Sequence, residues 1–216
     1  MSAPEPAPPS PIPWRLCAPD DPALAPASDL AVARAHVEAA RVSDGDAGEA
    51  RRKRILGFVD AHPDALLRSC AEGHLTGSAM VVDPASRQVL MLLHSKVRRW
   101  LQPGGHADGD AALPGVALRE AEEETGIDGL RVVVPAVDLD VHLFEAAGEP
   151  SHDHLDARYL VVAPPGATPQ GNHESRALRW VAVDDLAELD ADPGTHRLAH
   201  AALAALAALD PLTPDD

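Results

Sequence analysis

The stretch that decides the reading runs Leu101-Gln102-Pro103-Gly104-Gly105-His106 and, after residues 107–112, Leu113-Pro114-Gly115-Val116-Ala117-Leu118-Arg119-Glu120-Ala121-Glu122-Glu123-Glu124-Thr125-Gly126-Ile127. A glycine-paired turn leaves a strand candidate and leads into one strong helix over 113–125. Pro114 suits the first helical turn, where a missing N–H costs little, and Gly126 suits the position just past the end. Glu120, Glu123 and Glu124 stand at i, i+3 and i+4, so they share one helical face. Three carboxylates stacked this way repel one another unless a cation compensates. Hard oxygen ligands at this density suit Mg²⁺ or Mn²⁺. A divalent ion so placed neutralises a diphosphate and activates water near neutral pH. Arg119, directly before the cluster, has the chemistry to orient a carboxylate through a bidentate pair. A bare acidic helix is usually a solvated face; the glycine pair before this one and Gly126-Ile127 after it set it apart.

Outward from this helix, the spacing predicts strands over 76–82 and 88–94, joined by a turn at Asp83-Pro84-Ala85-Ser86. Further strands are expected over 131–142, 155–162 and 178–183, the last centred on Trp180, followed by an Ala/Leu helix over 195–209. Towards the N-terminus, residues 1–28 hold nine of the 21 prolines and read as an extended or disordered lead-in. Leu30, Ala33, Val37 and Ala40 recur at helical spacing within 28–42, and a second helix is expected over 47–61, its basic run Arg51 to Arg54 on the solvated side. A turn around Pro63 and a short helix through Leu66, Leu67 and Cys70 follow. No internal repeat is present. Strands grouped around one motif-bearing helix give an α/β layered domain with mixed strand directions. The expected division is a lead-in at 1–28, a helical extension at 29–72, the main domain at 73–190, and a C-terminal helix and tail at 191–216.

Composition narrows the partners. Apolar residues make up 45% of the 216, enough for a real core, and aromatics only 3%, so that core is aliphatic. The formal charge of −16 argues against nucleic-acid polymers and membrane surfaces, which are themselves anionic. A small phosphorylated ligand stays compatible, because a bound divalent ion reverses the local field. Cys17 and Cys70 have neither zinc spacing nor a disulfide framework and read as reduced thiols of a cytoplasmic protein. Neither a signal-peptide pattern nor a run of roughly 18 apolar residues is present.

The segment resembles the Nudix box: a glycine, five residues, a glutamate, seven residues, then Arg-Glu-apolar-any-Glu-Glu-any-Gly-apolar. Gly105 fills the first position, and Arg119, Glu120, Ala121, Glu123, Glu124, Gly126 and Ile127 fill the last block. The one departure is Ala111 where the first glutamate belongs, with Asp110 one place earlier. The resemblance implies an α/β/α sandwich with a mixed sheet, here carrying a helical N-terminal extension. It implies a Mg²⁺-dependent pyrophosphohydrolase, with Mn²⁺ as a substitute, cleaving a diphosphate linkage in a nucleoside diphosphate derivative or similar small molecule. Glu120, Glu123 and Glu124 would be metal ligands, one of them also the base; Arg119 would support Glu120 or Glu123 by an ion pair. Gly104 and Gly105 would let the backbone bend close to the metal. Family members often take a further ligand from a loop outside the box, and Glu174 is the candidate, its alternative being an ordinary loop carboxylate.

Weaker constellations surround this core. His106, after the glycine pair, is placed to meet a phosphate, and Lys96, Arg98 and Arg99 form a small basic loop that either greets phosphates or is an exposed turn. His152-Asp153-His154-Leu155-Asp156 is dense in ligands, and alternation sends His152, His154 and Asp156 to one side of a strand. A zinc site there lacks a clear fourth partner, so substrate contact by His154 is the simpler reading. The C-terminal helix either docks on its own domain or forms a homodimer contact. A Nudix-fold binding or regulatory module without catalysis is the competing reading, kept open by Ala111. The sequence does not identify the substrate.

Overall fold

The computed structural model describes residues 13–145, 150–172 and 175–209. In chain order these form β1 (Arg15–Cys17), α1 (Leu30–Ala39), α2 (Asp46–Ala61), β2 (Gly73–Val82), β3 (Val89–His94), β4 (Trp100–Leu101) and β5 (Gly104–His106). There follow α3 (Leu113–Thr125), β6 (Arg131–Val134), β7 (Asp138–Phe144), β8 (His152–Val162), β9 (Ser175–Val181) and α4 (Pro193–Ala208). One mixed sheet gathers the strands in the order β1-β6-β8-β2-β3-β4, with β5 beside β2, β7 beside β8 and β9 beside β3. Its centre is the parallel pair β2 and β8, in register over ten residues from Gly73 opposite Asp153 to Val82 opposite Val162. The remaining pairings are antiparallel.

Strand alternation separates two layers of packing. Leu75, Ala79, Val81, Leu139, Leu155, Ala157 and Tyr159 point to the face covered by α1, α2 and α3, and meet Val37, Ile55, Leu113, Ala117 and Ala121 there. Met80, Val82, Val89, Met91, Leu160 and Val162 point to the other face, against Leu198, Ala199, Ala202 and Ala205 of α4. The C-terminal helix therefore docks on its own domain. Each large aliphatic side chain so buried contributes about 1.5–3 kcal/mol. On the α4 face the other half of the sheet is polar: His74, Thr76, Ser78, His154, Asp156 and Arg158 are all buried.

Several expectations change in detail. The strand expected over 131–142 is two, β6 and β7, because Pro135 has no N–H for a ladder. No helix forms through Leu66, Leu67 and Cys70; that stretch is a series of turns. Within the Pro-rich lead-in, β1 pairs with β6, Cys17 opposite Val132, and residues 1–12 lie outside the described set. The basic run of α2 is not a solvated face throughout. Arg52 donates to the carbonyls of Val37 (2.6 Å), Glu38 (2.7 Å) and Ala40 (2.7 Å), satisfying the orphan carbonyls where α1 ends. Arg51 reaches the Leu139 carbonyl at 2.6 Å and the Asp44 carboxylate at 2.7 Å, tying α2 to β7.

Candidate functional site

The α3 helix crosses the sheet over β2, and Gly77 sets how closely. A Cβ at Gly77 would stand 2.9 Å from the Leu113 carbonyl and 3.1 Å from the Ala117 nitrogen. The helix ends as the spacing predicts, with Gly126 left-handed at φ 60° and its N–H donating to the Glu122 carbonyl at 2.9 Å. This seating carries two of the three glutamates to β5. The Gly104 N–H donates to Glu124 Oε2 at 2.9 Å, and Glu124 is buried. A Cβ at Gly105 would fall 2.4 Å from the carboxyl carbon of Glu120, so only glycine leaves room for that carboxylate. Glu123 is exposed on the helix, where its carbonyl accepts from Asn172 Nδ2 at 2.9 Å.

Arg119 stands 3.9 Å from Glu120 Oε1, but its shorter contact, 3.4 Å, is to Asp110 Oδ2. The other oxygen of Asp110 accepts from the Ala27 and Ala112 N–H groups at 3.1 and 2.9 Å. One carboxylate thus holds the start of α3, the arginine and the N-terminal strap together. Ala111 is fully buried in the apolar layer, and its N–H donates to the Ala27 carbonyl at 2.6 Å. A glutamate at 111 would place its carboxylate among apolar side chains.

His106 and His154 sit elsewhere. β5 pairs His106 with Thr76 and Gly105 with Gly77, so His106 leaves the sheet on the face opposite α3. There it joins His74, His152 and His154, and one ring nitrogen from each of the four lies within 4.8 Å of the others. His152, His154 and Asp156 do share one side of β8, as alternation requires. Burial pushes the His106 imidazole down to about 4, assisted by Arg68 and His74. His154 and His74 are also lowered, first by burial and then by neighbouring imidazoles. Burial thus favours the neutral form of His74, His106 and His154.

Below the histidines the same face carries a buried ion network. Asp156 accepts from Thr76 Oγ1 at 2.9 Å, Ser78 Oγ at 2.8 Å and Arg158 Nε at 2.7 Å. Arg158 also donates to Asp140 at 2.8 Å, and Arg197 of α4 donates to Asp138 and Asp140 at 3.1 and 2.7 Å. Arg99 lies in the exposed turn between β3 and β4; among the described residues no hydrogen bond or ion pair joins it to the glutamates. Glu174 lies outside the described residues. No helix among the described residues is long and apolar enough to cross a membrane.

A NUDIX domain model matches residues 74–202 of the chain. Among solved structures, an Ap4A hydrolase from C. elegans shares 20% identity, covers 62% of this chain and 97% of its own, and superposes with a TM-score of 0.51. A NUDIX-family hydrolase from Clostridium perfringens shares 26% identity and covers 63% of this chain and 98% of its own, TM-score 0.45. The NUDIX domain of Shewanella oneidensis NrtR, solved with ADP ribose, shares 18% and covers 61% and 87%, TM-score 0.47. No curated protein matches the chain. The domain match takes in well over half of the residues, from the start of β2 into α4, and includes the whole box: this chain belongs to the NUDIX family.

Proposed function

We propose that the protein is a Mg²⁺-dependent pyrophosphohydrolase that cleaves a diphosphate linkage in a small phosphorylated molecule, such as a nucleoside diphosphate derivative, by water attack at phosphorus. The observation that carries this reading is the convergence of Glu120 and Glu124 on the Gly104-Gly105 backbone. The donor set fits Mg²⁺: its side-chain groups are carboxylates, and they gather beside a backbone stretch that a side chain would fill. Glu120, Glu123 and Glu124 would hold the ion, which when bound neutralises phosphate charge.

The rest falls to the chain. Gly104 fixes the Glu124 carboxylate by donating its N–H to Oε2. Arg119, held by Asp110, orients Glu120 from its outer side. Glu123, exposed beside them, takes the proton of the attacking water as the oxygen–phosphorus bond forms and the bridging bond breaks. Glu174 remains a proposed further ligand and Arg99 a proposed phosphate contact; His106, on the opposite face of the sheet, is not one. A cytoplasmic setting and a monomer or homodimer both accord with this reading.

The test is a screen of nucleoside diphosphate derivatives with Mg²⁺ or Mn²⁺, comparing wild type with Glu123→Gln. Turnover at least about 100-fold faster in wild type is expected for one compound class. Equal rates across the screen would leave a binding module as the better description.

A further inference from the structure

The four histidines on the α4 face come from three strands that are distant in sequence: His74 from β2, His106 from β5, and His152 and His154 from β8. Strand register brings them together, His74 directly opposite His154. Each offers one ring nitrogen, and all four nitrogens lie within 4.8 Å of one another. The Nε2 atoms of His152 and His154 face each other at 3.2 Å. Two imidazoles bound to one tetrahedral ion at about 2.0–2.1 Å place their nitrogens roughly 3.4 Å apart, so this pair already has that spacing.

Two further observations point to a ligand. His74 is 3% exposed, and neither of its ring nitrogens has a hydrogen-bond partner. A buried imidazole with both nitrogens unpaired is costly unless something is to bind there. The Cys70 carbonyl is near enough to act on its charge but does not reach hydrogen-bond geometry. In addition, His152 Nδ1 lies 2.8 Å from the Pro150 carbonyl. An N–H donated there leaves Nε2 with its lone pair turned into the cluster, the arrangement by which metal-binding histidines are usually oriented.

We infer that His74, His106, His152 and His154 form a second metal site, on the opposite sheet face from the glutamates, that takes a divalent transition ion of the zinc class through four imidazoles. Four nitrogen ligands without a carboxylate select such an ion over Mg²⁺. His106 and His152 are half-exposed and give the ion its path from solvent, while His74 and His154 form the buried floor. The site does not depend on the proposed hydrolysis.

The experiment is a titration of tag-free, chelator-treated protein with Co²⁺ alone, followed in the visible spectrum, and then with Zn²⁺ as competitor. One equivalent of Co²⁺ should give the intense bands of tetrahedral coordination, persist in excess Mg²⁺, and be displaced by Zn²⁺. His152→Ala and His106→Ala, at half-exposed positions, should each weaken binding by about tenfold or more. Their melting temperatures in EDTA should match wild type, so that the loss reports a ligand and not the fold. Glu120→Gln/Glu124→Gln should leave the spectrum unchanged, which separates this site from the carboxylate one. Octahedral Co²⁺ spectra only, affinity indifferent to both histidine changes, or loss of the bands in the glutamate variant would each overturn the assignment.

Discussion

Replacing Asp156 by alanine tests the ion network beneath the histidines most directly. Its carboxylate is 1% exposed and accepts three bonds, from Thr76, Ser78 and Arg158. Removing one partner of a buried ion pair costs about 3–5 kcal/mol, because the other charge stays buried. Arg158 keeps Asp140 at 2.8 Å and Asp138 at 3.7 Å, which favours the lower end for the charge itself. The hydroxyls of Thr76 and Ser78 lose an acceptor at about 1 kcal/mol each, bringing the total from about 3 to roughly 5 kcal/mol. With a urea m-value of about 2 kcal/mol/M, the unfolding midpoint should fall by roughly 2.5 M at unchanged slope. In the double variant Asp156→Ala/Arg158→Met the loss should be smaller than the sum of the single losses by about 1 kcal/mol or more, since no unmatched cation remains. A midpoint shift below about 0.5 M for Asp156→Ala, or strictly additive losses, would refute the claim that this carboxylate and Arg158 form a stabilising buried pair.

Other perturbations separate site from scaffold. Gly105→Ala places a Cβ against the mobile end of Glu120, so thermal melting should change little while hydrolysis of whichever compound the screen identifies falls by roughly 100-fold. Gly77→Ala instead meets helix backbone and should destabilise by about 1–3 kcal/mol in urea unfolding. Arg52→Ala removes the donors to three carbonyls at the end of α1 and should cost about 1.5–3 kcal/mol, with faster amide exchange in α1 as the local signature. Burial pushes the Cys17 thiol up to about 11, so the folded state keeps a proton that the unfolded chain releases above the ordinary 9.0. That contribution is fully present below pH 9.0 and is lost as pH rises towards about 11; wild type should lose stability more steeply than Cys17→Ala across this window in pH-dependent melts.

What was legible in the sequence follows the range of the interactions involved. The α3 helix was readable end to end because its signals, Pro114, the glutamate spacing and Gly126, act within a few residues. The central strands were readable from their apolar C-terminal halves, Ala79 to Val82 in β2 and Tyr159 to Val162 in β8, which are wholly buried. By contrast β5 is three residues, two of them glycine, and exists only because β2 lies beside it. The division of the acidic face also needed the fold: helical spacing groups Glu120, Glu123 and Glu124, but packing against β5 buries Glu124 and leaves Glu123 in water. The role of Asp110 rests on Ala27, 83 residues away. His152 and His154 were visible as a ligand-dense pair, while His74 and His106 join them through register alone. Their parity on neighbouring strands was the signal to follow.

The family match and the packed unit do not coincide in this protein. The family match opens at residue 74, one residue inside β2, and leaves out β1, α1 and α2. Yet β1 closes the hydrogen-bonding edge of β6, Leu24 lies under Gly115 of α3, and Ala27 is bonded to both Asp110 and Ala111. A fragment cut at the family boundary would bare a strand edge of Val132 and Val133, the kind of template on which chains associate with one another. The N-terminal arm thus shields that edge from other chains by occupying it within its own.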